Sequence, residues 1–282
     1  PLLLQYGGRE RNIYNNLLFY QHNSPELISE FQKIYSELYI RKSSILEVLA
    51  DKRLRNNITG RLRYYWKHAG LPYKWIPNII SILSKYRKNE DMAVEQVRKR
   101  YPQFINPDSL YNKKLKRFRE IKIKNLAERI NAYINGETIA DIGGRNTDFA
   151  EQMLILNKSI KRVYVTDIEA SKKLSNPIIT FIQQPSLIQT SLKNLNTIIL
   201  SMVLHHINDI NQDEFIKNII NTLKKRGTII LIEDSYPTKF RNLIVHNNIN
   251  DFLRFSQEKK KKILSFYDWF SNRLMRNRDN FP

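Results

Sequence analysis

Hydrophobic residues in the second half of the chain form short runs separated by patterns of helical spacing. Each run has the length and composition of a buried strand, and the stretch 212–225 between two of them has the spacing of a covering helix. The predicted strands are a short run that begins at Thr138 and ends in an acid and two glycines, then Arg162–Asp167, 178–182 at an edge, 196–207 and 227–234. Strands that alternate with helices predict an α/β fold, a mostly parallel sheet with helices on both faces. Its ligand is then expected at the carboxyl ends of the strands.

The first 125 residues show helical periodicity and no internal repeat. Ser24-Pro25-Glu26 is typical of a helix N-terminus, and apolar residues at helical spacing follow it as far as Leu49. Further helices are predicted at 58–69, from 79 onward, at 90–100 and at 107–135. We therefore predict a basic, mainly helical region at 1–125, followed by an α/β domain at 126–282.

The most informative segment follows the first predicted α/β strand. It reads Asp141-Ile142-Gly143-Gly144-Arg145, and a helical pattern begins directly after it. Glycine allows the backbone of such a turn to approach a ligand closely. The next strand ends at Asp167, where an acid can accept hydrogen bonds from both hydroxyls of a ribose.

With these features the stretch from about 126 to 237 resembles class I S-adenosylmethionine (SAM)-dependent methyltransferases of the Rossmann-like type. Asp141, Gly143 and Gly144 match the first motif of that family, and Asp167 matches its ribose-binding acid. The segments 201–207 and 227–234 match the family's segment after the fourth strand and its fifth strand. The resemblance implies SAM as cofactor, with Gln183 or Gln184 near the adenine. The implied contacts are Asp141, Gly143, Gly144, Arg145, Asp167, Gln183 and Ser201.

The chain departs from the family pattern in two ways. Arg145 and Thr147 stand where the family usually repeats glycine. An arginine there either crowds the cofactor or binds its methionine carboxylate. The chain also stops before any recognisable sixth and seventh strands, which normally close the sheet as an antiparallel hairpin, and 266–273 resembles a lid or substrate-side helix. A domain cut from a larger viral polypeptide would explain both the start at Pro1 without a methionine and the stop at Pro282 before those strands.

Composition limits the function classes. The chain has no cysteine, which excludes disulfides, thiolate zinc sites and a cysteine nucleophile, and which favours an intracellular, cytoplasmic location. No metal site is predicted. No apolar run is long enough to cross a membrane, and the opening Pro1–Leu4 is too short for a signal peptide.

Charge indicates a phosphate-rich partner. The formal net charge is +20, from 47 basic and 27 acidic side chains. Residues 1–130 hold 26 Lys and Arg against 12 Asp and Glu, a surplus of 14, whereas the remainder holds 21 against 15. We expect RNA as the partner of the N-terminal region. Two clusters there are candidates for RNA contacts. The first mixes cations with aromatic rings and consists of Arg61, Arg63, Tyr64, Tyr65, Trp66 and Lys67. The second lies along a predicted helix and consists of Lys113, Lys114, Lys116 and Arg117. In the competing interpretation of the first cluster, Tyr64, Tyr65 and Trp66 lie partly in a core and the arginines solvate its edge. For the second cluster, the competing interpretation is a plain solvated face.

Catalytic residues are less clear. By the resemblance, the segment after the fourth strand carries neither the acid used for ribose 2′-O transfer nor the motif used for exocyclic amines. Guanine N7 has a free lone pair and needs no general base, so an mRNA cap guanine N7 is the favoured acceptor. Weak candidates for a catalytic role are His205, Glu233, Asp234 and Tyr236. Two alternatives stay open: a small-molecule methyltransferase, or a degenerate methyltransferase fold that serves as an RNA-binding or scaffold subunit.

Overall fold

The computed structural model describes residues 2–6, 14–21, 45–169, 176–186, 190–207, 211–235 and 254–275. The described chain contains seven strands: β1 (Leu2–Tyr6), β2 (Tyr14–Gln21), β3 (Thr138–Ile142), β4 (Arg162–Asp167), β5 (Ile179–Gln183), β6 (Leu195–Ser201) and β7 (Leu223–Ser235). Its α-helices are α1 (Lys52–His68), α2 (Ile76–Lys85), α3 (Glu90–Arg100), α4 (Leu110–Ile130), α5 (Asp148–Leu156), α6 (Gln212–Thr222) and α7 (Gln257–Trp269).

The chain divides into two compact units, and each is discontinuous in sequence. The sheet unit consists of the described residues among 1–8, 13–40 and 120–235. The helical unit consists of those among 41–119 and 236–282, so the division falls within α4. The boundary expected near residue 125 does not coincide with this division, because both units combine segments from the two sides of that residue.

All seven strands form one sheet in the order β1-β2-β7-β6-β3-β4-β5. The five strands from β3 to β7 pair in parallel, as the sequence predicts. The bounds of β4 match the predicted strand, and β3 begins at Thr138 as predicted. Between α6 and β7 the chain differs from the prediction, because the helix ends at Thr222 and the strand begins at once at Leu223.

The first two strands were not predicted. They form an antiparallel hairpin, and β2 pairs antiparallel with β7 from Tyr14 opposite Ser235 to Gln21 opposite Thr228. This finding corrects the expectation that the sheet lacks its closing strands, because a hairpin lies beside the fifth parallel strand. The N-terminus of the chain supplies it. The helical character of the first 125 residues holds for the described residues from 45 onward, whereas the helix predicted after Ser24 lies largely outside the described residues.

Helices cover both faces of the sheet. Alternate residues of the central strands point to opposite sides, as a pleated strand requires. On one side Ala140 and Ile142 of β3 pack in a cluster with Phe215 of α6. On the other side Ile139 packs in a cluster with Phe149 of α5. The mostly parallel α/β sheet predicted from the sequence is therefore confirmed.

The helical unit has an aromatic core. The ring of Trp66 on α1 contacts the rings of Phe104, Tyr111 and Phe270, at centroid distances of 5.8, 5.7 and 6.1 Å. Trp269 is also fully buried in this core. The segment 266–273 therefore does not match the lid-like helix expected from the sequence, since its large side chains fill the interior of the helical unit. Within the described residues, no helix has the length and apolarity needed to cross a membrane.

Candidate functional site

The turn after β3 is built on Gly143. Its N–H donates to the carbonyl of Thr166 at the end of β4, at 2.7 Å, and its φ is +73°. A Cβ atom at this position would lie 2.6 Å from Cγ2 of Val203. Glycine is required here for both conformation and space, so the turn after β3 closes tightly against its neighbours.

Gly144 places the backbone directly beside the carboxyl group of Asp141. A Cβ atom at position 144 would collide with Oδ2 of Asp141 and would lie 2.8 Å from Cγ1 of Val165. No larger residue fits without displacing the acid. The two glycines, called the glycine cradle below, thus pack directly against Val203, Asp141 and Val165 over the end of β3.

Asp141 and Asp167 lie on the same side of the sheet. Asp141 pairs in register with Val165, two residues before Asp167, and side chains two residues apart in a strand share a face. The side chain of Asp141 accepts no hydrogen bond within the described part of the chain, and the residue is only 3% exposed. Burial, and secondarily the negative charge of Asp167, raises the pKa of Asp141 to about 7. The carboxyl group is therefore poised between its neutral and ionised forms near neutral pH.

The buried carboxylate of Asp167 is held by two backbone amides. Its Oδ2 accepts the N–H of Arg145 and its Oδ1 accepts the N–H of Glu169, each at 2.9 Å. Each carboxylate oxygen has a second acceptor position, so this arrangement leaves capacity for further donors. The acid is fixed in place before any ligand binds.

Arg145 turns away from the position that either sequence interpretation gave it. Its Nε lies 3.2 Å from Oε2 of Glu169, and both side chains are substantially exposed. Its φ of +54° is in the left-handed region that non-glycine residues rarely adopt. The guanidinium of Arg145 thus forms an ion pair with Glu169, which follows the end of β4, and does not fill the glycine cradle.

The structure distinguishes between the two glutamines. Gln183 is exposed, and its side-chain amide donates to the carbonyl of Ile168 at 3.2 Å. Gln184 is buried, its backbone N–H donates to the carbonyl of Asp167, and its side-chain oxygen has no hydrogen-bond partner among the described residues. Gln184 is therefore the better placed of the two to meet a buried ligand.

Thr166 was missed by sequence reasoning. It is fully buried, and its hydroxyl has no hydrogen-bond partner within the described residues. A threonine inside the apolar run of β4 is ordinary for a β-branched residue, so the pattern offered no reason to single it out. It pairs in register with Ile142 and precedes Asp167 by one residue, so its side chain points to the opposite face of the sheet from Asp141 and Asp167. Asp141 and Gln184 remain as two buried polar groups near the carboxyl ends of β3 and β5 that have no partner in the described chain.

The end of β6 borders the same edge of the sheet. Ser201 is half-buried there, and Met202 follows it with a φ of +59°. The N–H of Met202 donates to the carbonyl of Ile232 on β7, at 2.7 Å. The chain therefore makes a second left-handed turn at this edge.

The catalytic candidates remain predictions. His205 lies in a single 3₁₀ turn at Leu204–His206, and Glu233 and Asp234 lie in β7, where they pair with Asn16 and Asn15 of β2. The side chains of these three residues, and all of Tyr236, lie outside the described residues. Within the part of the chain that is described, no group of three or more His, Asp or Glu side chains could hold a metal ion.

The predicted nucleic-acid residues separate into two sets. Arg61 and Trp66 are buried in the helical unit, which removes them from the candidate surface, and Tyr64 and Tyr65 are half-buried. The exposed members are Arg63, Lys67, Lys113, Lys114, Lys116 and Arg117. Arg61 instead lies over the ring of Tyr267, with its Cζ 5.2 Å from the centroid.

Comparison of the sequence with protein-family models and with curated proteins finds no match.

Proposed function

We propose that the sheet unit binds SAM at the carboxyl ends of β3, β4 and β5, and that the protein transfers the methyl group of SAM to RNA. The observation that carries this proposal is the pair of buried polar side chains at that edge, Asp141 and Gln184, which find no partner within the described residues. A buried polar group without a hydrogen bond costs about 1–3 kcal/mol. A polar ligand that supplies those bonds would offset this cost.

The residues fit the parts of the cofactor in turn. The cradle at Gly143 and Gly144 leaves backbone close to Asp141, which suits the methionine end with its cationic groups. Asp167 is fixed by two amides and keeps acceptor capacity for two ribose hydroxyls. The side-chain oxygen of Gln184 is an acceptor for an exocyclic amine such as that of adenine.

The acceptor that we favour is RNA, with a cap guanine N7 as the specific target. The methyl group of a sulfonium is transferred by in-line displacement, in which positioning supplies much of the rate. Guanine N7 needs no general base, which agrees with a chemistry that depends on orientation alone. The net charge of +20 favours a polyanionic substrate over a small neutral one.

A labelled-methyl transfer assay across capped RNA, uncapped RNA and a pool of small molecules tests the proposal. Transfer to RNA is expected, and Asp141→Ala or Asp167→Ala should lower it about 100-fold, which corresponds to about 2.7 kcal/mol of lost stabilisation. Asp148→Ala is the matched control, because Asp148 is an exposed acid near the same turn whose carboxylate accepts from the side chain of Asn146. Unchanged turnover in both site variants would remove the site assignment, and transfer only to small molecules would favour the small-molecule enzyme.

Removal of residues 1–125 is not a clean test of the RNA-binding region. β1 and β2 belong to the sheet unit, so that deletion would expose the edge of β7. Point substitutions on the helical unit test its role in RNA binding and leave the sheet intact.

One observation favours the degenerate scaffold as a second candidate. The backbone N–H of Arg145 already donates to Asp167, and the side chain of Arg145 pairs with Glu169. The chain itself therefore supplies part of the hydrogen bonding of the acids at the end of β4. Calorimetric titration with SAM distinguishes the two. Heat of binding that disappears in Asp167→Ala supports the enzyme, whereas no heat at millimolar SAM, with RNA binding intact, supports the scaffold.

A further inference from the structure

The helical unit joins two basic segments that lie far apart in sequence. The 17 residues of α1 contain six Lys and Arg and no carboxylate. The stretch 110–119 of α4 contains five Lys and Arg and again no carboxylate. Both segments are in the helical unit, and the sequence alone does not show whether they are neighbours.

Two contacts show that they are neighbours. The ring of Trp66, near the end of α1, lies 5.7 Å from that of Tyr111 at the start of α4. The Nζ of Lys114 donates to the carbonyl of Gly70, just beyond the end of α1, at 3.0 Å. A cation at this place is favoured by the negative end of the α1 dipole. Lys114 therefore holds the two segments together.

The exposed cations of these two segments have no acidic partner among the described residues. Arg63 and Lys67 of α1, and Lys113, Lys116 and Arg117 of α4, form no ion pair there. Other cations of the helical unit do form ion pairs: Lys259 with Asp51, Lys262 with Glu258, and Arg273 with Asp91. A surface whose positive charge is not balanced by neighbouring acids attracts a polyanion.

Aromatic rings accompany these cations. Tyr64 and His68 lie one helical turn apart on α1, and their ring centroids are 4.2 Å apart. Tyr64 is half-buried and His68 is exposed. Arg63 and Lys67 precede them by one residue each, so cations and rings follow the same two turns of the helix. Accessible rings can stack on unpaired bases, whereas the bases of a duplex are already stacked on one another.

We infer that the end of α1 and the start of α4 form one binding surface for single-stranded RNA. This α1–α4 surface consists of Arg63, Tyr64, Lys67, His68, Lys113, Lys116 and Arg117. Its cations contact phosphates, its ring pair stacks on bases, and Lys114 acts as a positioning residue. The inference rests on the RNA part of the proposed function and does not require that SAM binds.

The test measures binding of a labelled single-stranded RNA of about 20 nucleotides, longer than the roughly 4–16 nucleotides that one single-strand-binding fold covers. The variants Arg63→Ala/Lys67→Ala and Lys113→Ala/Arg117→Ala remove two cations from each helix. Each should weaken binding, and their combination should weaken it at least about 30-fold at low salt. The slope of log K against log salt should become shallower by about 0.7 for each phosphate that the variant no longer neutralises.

The matched control is Lys85→Ala/Lys88→Ala, which removes two exposed cations elsewhere on the helical unit. It should leave the slope close to that of the wild type. If it weakens binding as much as the other double variants, or if either α1 or α4 variant leaves affinity and slope unchanged, the joint surface is overturned. Thermal unfolding of each variant checks that the fold is retained.

Tyr64→Leu tests stacking, because leucine keeps apolar packing while it removes the ring. It should weaken binding of single-stranded RNA about tenfold and leave the salt slope unchanged. Equal affinity for duplex RNA, together with no effect of Tyr64→Leu, would overturn the preference for single strands. SAM calorimetry on the same variants should match the wild type. If SAM does not bind while RNA binding follows the pattern above, the cofactor proposal fails and this inference stands.

Discussion

The sheet unit and the helical unit differ in where their buried polar side chains lie: those of the helical unit, Asn57, Arg61, Lys260, Ser265 and Asn272, belong to helices rather than to strand ends. In the sheet unit, Asp141, Thr166, Asp167 and Gln184 are all more than nine-tenths buried near the carboxyl ends of three neighbouring strands. In the helical unit the interior is mostly apolar and aromatic, and most cations remain on the surface. Polar groups held inside a fold suit a small ligand that is enclosed, whereas exposed charge without partners suits an extended one. The two units therefore suggest different kinds of ligand.

Backbone conformation separates the units in the same way. Four non-glycine residues in the described chain have a positive φ, namely Arg145, Asn194, Met202 and Arg226. All four belong to the sheet unit, and the described part of the helical unit contains none. Two of them, Arg145 and Met202, follow β3 and β6 at the edge where we place the cofactor. Such strain persists only where surrounding structure imposes it, and it is frequent at ligand sites.

The largest expected effect comes from separating the hairpin from the sheet. Leu18 of β2 pairs with Leu3 on one side and with Leu231 on the other. Proline at this position removes a ladder hydrogen bond from the middle of a strand that is paired on both sides. Leu18→Pro should therefore be among the few substitutions that lower an unfolding free energy by roughly 4–5 kcal/mol or more, measured in urea titrations.

Leu18→Val is the control for that substitution, since valine keeps both the backbone donor and a high strand propensity. The result decides whether the hairpin belongs to the sheet unit in that comparison. If Leu18→Pro unfolds like Leu18→Val, the hairpin does not stabilise the sheet, and the N-terminal residues would not complete it.

This hairpin also shows what local pattern can and cannot predict. The bounds of α3 and β4 follow from local signals: Asn89 caps α3 through the N–H of Met92, and β4 is a run of β-formers that ends in an acid. The partner of β2 in the parallel sheet is β7, more than 200 residues later in the chain. No periodicity within residues 1–21 identifies such a partner, although two apolar runs around Gly7-Gly8 are compatible with a hairpin.

The next largest effect is expected from pH. The pKa of Asp141 is about 7 in the folded chain, against an ordinary value of 3.8. The folded state therefore binds more protons than the unfolded state between these values, so the unfolding free energy falls as pH rises from about 4 to about 7. Asp141→Asn removes this dependence. The variant should match the wild type near pH 4 and exceed its unfolding free energy by on the order of 4 kcal/mol above pH 7.

Asp148→Asn serves as the reference for that measurement, because it removes an exposed acid near the same turn. If the difference between Asp141→Asn and the wild type changes with pH no more than that of Asp148→Asn, Asp141 is not held in a buried, repulsive position beside Asp167. The conclusion that the sheet unit holds polar groups in its interior would then lose its main observation.

The candidate site at the ends of β3, β4 and β5 shows a second limit of sequence reasoning. The glycine cradle and both acids follow from the motif, because each residue type has a local reason for its place. Which of Gln183 and Gln184 is buried does not follow from the motif. Neighbouring residues in a strand point to opposite faces, and the sequence does not show where β5 ends. The sequence left open whether Trp66 lies in a core, because the aromatic residues that enclose it include Phe270, about 200 residues away.

The smallest effect concerns the strained turn after β6. Met202 has a φ of +59°, which costs a residue with a Cβ atom about 1 kcal/mol more than glycine. Met202→Gly and Met202→Ala both remove the long side chain, and only the glycine relieves the strain. Met202→Gly should therefore have the higher unfolding free energy, by about 1 kcal/mol, in urea titrations that compare the two variants directly. Equal stability would mean that the turn is not strained in solution. The contrast in backbone conformation between the two units would then depend on Arg145, Asn194 and Arg226 alone.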